Sequence, residues 1–156
     1  MSVVSEPMDD ELEASEIAAE DAPLPARPAL VELAGAILIV SGVLGLLGTI
    51  GAMAELPAGT GPIVVLTAAL NIGSLVIGAL VRTGRAWLVA VNYVAVLGFL
   101  DFTGAPVSGL ALLLGIADVI VVIILLVQKP WFDAVRGVRR LRAKARRLPS
   151  PPAGGG

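Results

Sequence analysis

The sequence predicts an all-α integral membrane protein, a four-helix transmembrane bundle with a disordered N-terminal tail and a C-terminal amphipathic helix. Of its 156 residues, 56% are hydrophobic, and these are gathered into long runs. Soluble domains of this size rarely carry so much apolar sequence. The run at 107–128 has one charged side chain, Asp118, and about 20 apolar residues in a helix cross a bilayer core. The remaining charge is concentrated at the two ends of the chain, outside the apolar runs.

The first segment, residues 1–28, is an acidic tail. It carries eight acidic side chains against one base, Arg27, and it contains four prolines. A segment this polar cannot bury enough apolar surface to offset the entropy lost on ordering. We therefore predict a mostly disordered cytoplasmic tail, with a short helix across residues 8–22 as the alternative.

The four predicted spans lie within residues 29–128. In the first span, Ser41, Gly45 and Thr49 recur at intervals of four, which lets helix backbones approach closely in lipid. This spacing favours packing within the chain, with homodimerisation as the alternative. The third span is short, and the sequence from Asp101 to Pro106 is predicted to be a turn outside the membrane. The predicted spans are residues 29–54, 62–81, 86–100 and 107–128.

The last segment, residues 129–156, is a basic tail with eight bases against Asp133. Pro130 should interrupt the fourth span, and an amphipathic helix is predicted over residues 131–148. A basic amphipathic helix beside a span is expected to lie in the interface, with its bases among anionic lipid headgroups. The predicted lipid-contacting residues are Arg136, Arg139, Arg140, Lys144, Arg146 and Arg147.

The distribution of bases predicts the topology. Arg27, the pair Arg82 and Arg85, and the C-terminal tail would all lie on one side of a four-span protein, whereas the loops at 55–61 and 101–106 contain no base. Lys and Arg are retained on the cytoplasmic side. The sequence therefore predicts that both termini are cytoplasmic.

The candidate site is an intramembrane polar cluster of Asp118, Asn71, Asn92 and Tyr93. Asn71 precedes Arg82 by eleven residues and Asp118 precedes Lys129 by eleven, so both should lie at one depth. Asn92 and Tyr93 should lie within about 6 Å of that layer, at 1.5 Å rise per residue. Because a carboxyl group is costly in a bilayer, Asp118 should face the bundle. It would then join helices by hydrogen bonds or, alternatively, bind protons or cations.

The sequence favours a non-enzymatic role that is structural, regulatory or partner-binding. With no His and no Cys, the commonest general base and metal ligands are missing, and no glycine-rich nucleotide-binding motif is present. We therefore predict no cofactor, no metal site and no nucleic-acid partner. The expected partners are the lipid bilayer, anionic headgroups, and a second copy or another membrane protein. The alternative is a small proton-coupled transporter or channel component that uses Asp118.

The layout of residues 29–128, rich in Ala, Val and Gly, resembles that of small four-span membrane proteins from GC-rich bacteria. This resemblance implies a bacterial-type plasma membrane as the location.

Overall fold

The computed structural model describes residues 23–53, 57, 60–104 and 108–145, and within these ranges it is helical with no β-strand. The all-α prediction is therefore confirmed. The helices are α1 (Ala29–Met53), α2 (Gly61–Arg82), α3 (Trp87–Gly104), α4 (Gly109–Val127) and α5 (Lys129–Ala145). The predictions for residues 1–22, including the alternative helix at 8–22, and for residues 146–156 lie outside the described residues.

Three of the helices are long and apolar enough to cross a membrane, namely α1, α2 and α4. Their most apolar windows have mean hydropathies of 2.4, 2.3 and 3.2. Helix α3 is also apolar but shorter, and its 18 residues would extend about 27 Å at 1.5 Å per residue. The structure thus supports a membrane protein with at least the three longer helices as candidate spans.

Helix boundaries differ from the predicted segment bounds by two residues or more at the end of α3 and at the starts of α4 and α5. Helix α3 continues to Gly104, four residues beyond its predicted end at Leu100. The helix-breaking residues of this stretch are Gly104 and Pro106. Residues 101–103, which precede Gly104, continue the helix. Helix α5 begins at Lys129, two residues earlier than predicted, and Pro130 is its second residue. Proline is tolerated there because the first N–H groups of a helix have no intrahelical acceptor.

Glycine allows α1 and α2 to pack closely. A Cβ atom built on Gly42 would lie 2.7 Å from the backbone oxygen of Asn71, and one built on Gly78 would lie 2.9 Å from the backbone oxygen of Gly35. Helices α3 and α4 approach in the same way, because a Cβ on Gly98 would lie 3.1 Å from the Cβ of Asp118. Helix α1 also packs on α4, which joins the two helix pairs into one bundle.

The turn between α2 and α3 contains two residues in the left-handed region, Gly84 (φ 69°) and Ala86 (φ 56°). Left-handed backbone costs an alanine roughly 1–2 kcal/mol, so hydrogen bonds must hold this turn. The N–H groups of Thr83 and Arg85 donate to the carbonyl of Leu80, and that of Gly84 donates to Val81. The turn keeps Arg82 and Arg85 at the same end of the bundle as the start of α1.

Candidate functional site

Asp118 lies in the middle of α4 and is 1% exposed. Among the described residues, neither of its carboxyl oxygens has a hydrogen-bond partner. A buried polar group without a partner costs free energy, and an ionisable residue at membrane depth is a candidate functional group. Its side chain lies against Gly98 of α3, where the absence of a side chain makes room for it.

Asp101 is the functional candidate that sequence reasoning missed. It was assigned to a solvated turn, but the structure places it half-buried in the last turns of α3. Its carboxyl group interacts electrostatically with that of Asp118. The sequence spacing could have indicated this position, because Asp101 follows Gly98 by three residues and so lies on the same face of α3.

Asn71 joins α2 to α1. Its side chain is 9% exposed, and its Nδ2 atom donates to the carbonyl of Thr67 at 3.0 Å and to Oγ1 of Thr49 at 3.5 Å. Its amide group lies against Gly45, where a Cβ atom would collide with it. Asn71 is therefore a helix-joining residue whose partner on the facing helix is Thr49.

Tyr93 joins α3 to α2. Its hydroxyl group donates to the carbonyl of Leu70 and lies 3.3 Å from Oγ of Ser74, a buried residue of α2. Both Asp101 and Asp118 act electrostatically on Tyr93.

Asn92 lies apart from these residues. Its side chain is exposed, and its Nδ2 atom donates to the carbonyl of Leu88 in its own helix at 2.8 Å. For the described residues, the structure therefore shows three polar interactions that do not include Asn92. These are the hydrogen bonds of Asn71 to Thr49 and of Tyr93 to Leu70 with Ser74 close by, and the electrostatic interaction of Asp118 with Asp101.

An open cavity of about 510 Å³ lies between α1, α2, α3 and α4. Its lining comes from the C-terminal halves of α1 and α3 and the N-terminal halves of α2 and α4, so it occupies the end of the bundle away from Arg82. Most of the lining is leucine, alanine and glycine, and Asp101 supplies its carboxyl group. The polar residues that line it are Thr49, Thr67, Asn71, Asp101 and Ser108.

Charged and aromatic side chains gather at the opposite end. Glu32, in the first turn of α1, pairs with Nε of Arg82 at 2.7 Å and also with Arg27. The indole nitrogen of Trp87 donates to the carbonyl of Leu125 at 2.8 Å, and Nζ of Lys129 lies 5.6 Å from the Trp87 ring centre. Such residues anchor helix ends at a membrane–water interface.

The predicted lipid-contacting residues follow one another along α5. Arg136, Arg140 and Lys144 are exposed, and Arg139 is half-buried. Arg146 and Arg147 lie outside the described residues. The described part of α5 therefore presents a basic surface of at least three side chains.

No protein-family model, curated protein or solved structure matches this chain. Within the part of the chain that the structure describes, no three His, Cys, Asp or Glu side chains are grouped so that they could hold a metal ion.

Proposed function

We propose that this chain is a small four-span protein of a bacterial-type plasma membrane, with a non-enzymatic structural, regulatory or partner-binding role. Helices α1 to α4 are the spans, both termini are cytoplasmic, and the bases of α5 contact anionic headgroups. One observation carries the proposal. Many large apolar side chains point outward, in addition to those of the buried core, and small or polar residues also lie at the helix contacts.

The outer surface differs from that of a soluble bundle, because it is also rich in large apolar side chains. Val65, Phe99 and Val127 are each more than 60% exposed, whereas Gly42 and Ser74 are buried between helices. In water such a surface would be an extended apolar patch, a feature that monomeric soluble proteins rarely show. In a bilayer the same apolar surface contacts apolar lipid chains, and small residues let the helix backbones approach closely.

Helix α3 is proposed as the fourth span because its ends suit an interface. Trp87 begins the helix next to Arg85, and Asp101 lies close to its other end. A helix of about 27 Å matches a bilayer core of roughly 30 Å with little tilt or thinning.

Reporter fusions test the topology. We expect a reporter inserted at Gly59 to be external and one inserted at Gly84 to be cytoplasmic, because Arg27, Arg82 and Arg85 should remain on the cytoplasmic side. Paired enzyme reporters, one active outside and one active inside, give opposite readings at the two sites. The reverse pattern, or the same side for both, would contradict the proposed four-span arrangement.

Vesicle binding tests the role of α5. We expect a peptide of residues 129–148 to bind vesicles with anionic lipid more tightly at low salt, because each base near the surface contributes about 1 kcal/mol and salt screens this attraction. The control peptide carries Gln at Arg136, Arg140 and Lys144 and should bind at least about tenfold more weakly. Binding that is independent of salt and of these bases would contradict the headgroup contact.

The two carboxyl groups favour a second candidate, a proton-coupled transporter or channel component that uses Asp118. Asp118 is buried with no hydrogen-bond partner among the described residues. No hydrogen bond to these residues therefore offsets the cost of burying its carboxyl group. The neighbouring Asp101 lines the open cavity. A proton could therefore pass from the cavity to Asp101 and then to Asp118.

A further inference from the structure

We infer that the open cavity is a binding site for an apolar monovalent cation, such as an alkylated or aromatic ammonium ion, with the carboxylate of Asp101 as its counter-charge. The inference rests on the proposed membrane-spanning bundle and deepens its second candidate function by naming the ligand class. It depends on three features of the cavity, namely its hydrogen-bonding polarity, its apolar lining and the carboxyl group of Asp101, the one carboxyl group among the described residues that line it.

Three of the polar side chains that line the cavity, Thr49, Thr67 and Asn71, present acceptors to it. The hydroxyl of Thr49 donates to the carbonyl of Gly45 at 2.8 Å, and that of Thr67 donates to Ile63 at 2.9 Å, so both hydroxyl hydrogens are already used. The amide nitrogen of Asn71 is likewise used in its bonds to Thr67 and Thr49. Lone pairs on these oxygens remain, and they favour a positive charge over a negative one.

The apolar lining selects the kind of cation. Proteins bind a small metal ion such as Ca²⁺ or Mg²⁺ through several oxygen ligands. No group of three His, Cys, Asp or Glu side chains that could hold a metal ion is present in the described part of the chain. An organic cation needs fewer oxygen ligands, because burial of its alkyl and aryl groups against leucines such as Leu66, Leu97 and Leu114 is favourable. The cavity volume of about 510 Å³ falls within the usual range of small-molecule sites.

The pairing of Asp101 with Asp118 decides which of these two described residues carries the negative charge. Two adjacent carboxylates repel each other, so ionisation of one disfavours ionisation of the other. Asp118 is 1% exposed and has no hydrogen-bond partner among the described residues, which makes its ionisation the more costly. The negative charge therefore belongs on Asp101, the member of the pair that lines the cavity.

Calorimetry on the purified full chain in zwitterionic nanodiscs tests this site, with benzyltrimethylammonium as the probe and empty nanodiscs as background. We expect saturable binding in wild type and a loss of affinity of about tenfold or more in Asp101→Asn, because the counter-charge is removed. Asp101→Glu keeps the charge and should retain binding to within about fivefold. Asp133→Asn is the matched control because it removes one carboxylate from α5, and it should bind as wild type does.

A second ligand keeps the test independent of how the variants fold. Neopentylbenzene has a carbon atom in place of the quaternary nitrogen, so it has the same shape without the charge. We expect it to bind wild type about tenfold more weakly than the cation does. Equal binding of the two ligands, equal binding by Asp101→Asn, or no binding of the cation to wild type would each overturn the inference. Failure of the membrane topology would show separately, as reversed reporters at Gly59 and Gly84.

Discussion

Replacing Gly42 by valine is expected to lower the free energy of unfolding of the bundle by about 3 kcal/mol, at the upper end of typical overpacking costs. A Cβ atom at this position would lie 2.7 Å from the backbone oxygen of Asn71 and 3.0 Å from a Leu75 methyl carbon. A backbone carbonyl in a helix cannot rotate away, so α1 and α2 would have to separate. Their separation would also break the bond between Asn71 and Thr49.

The matched control is Gly51→Val in the same helix, where a Cβ atom would meet nothing within 4 Å. Both variants lose one glycine and gain the same side chain, so helix propensity and added apolar surface are matched. Unfolding with sodium dodecyl sulfate in mixed micelles, followed by tryptophan fluorescence, compares the two with wild type. Equal stability of the two variants would show that α1 and α2 are not packed through Gly42.

The helical architecture could be predicted because periodicity and length are local properties. The predicted start of α1 at residue 29 is the observed one, and both ends of α2 lie within one residue of prediction. The end of α3 was missed because the sequence from Asp101 to Pro106 contains a glycine and a proline, and the whole stretch was assigned to a turn. Helix α3 includes residues 101–104, and that difference of one turn places Asp101 half-buried in the bundle.

The candidate site was predicted less well because depth in a membrane does not determine direction around a helix. Counting residues placed Asn71 and Asp118 at the same depth, but Asn71 turns toward Thr49 on α1 and Asp118 packs on Gly98 of α3. Asn92 is one residue from Tyr93, and about 100° of rotation sends it to the outside of the bundle while Tyr93 reaches Ser74. Such directions are fixed by packing between helices that are far apart in sequence.

Asp118→Asn is expected to abolish proton flux under the second candidate function, because a carboxamide keeps the shape of the carboxyl group but cannot take up or release its proton. Flux is measured in sealed vesicles that contain the purified protein, a trapped pH-sensitive dye and an imposed potential. We expect the rate in the variant to fall to that of protein-free vesicles, and Asp118→Glu to retain part of it. Asp133→Asn, which removes a carboxylate from α5, should leave the rate unchanged.

Stability measurements separate this role from a structural one. If Asp118 joined helices, its replacement by leucine would break hydrogen bonds worth about 0.6–2 kcal/mol each. The structure shows no such bond to the described residues, so Asp118→Leu should leave the bundle as stable as wild type or more stable, by up to about 2 kcal/mol, because a costly buried carboxyl group is removed. The combination of retained stability and lost flux is what a working protonatable group predicts. Lost stability with unchanged flux in Asp118→Asn would instead assign Asp118 to the packing of α3 against α4, and the search for function would move to the cavity at Asp101.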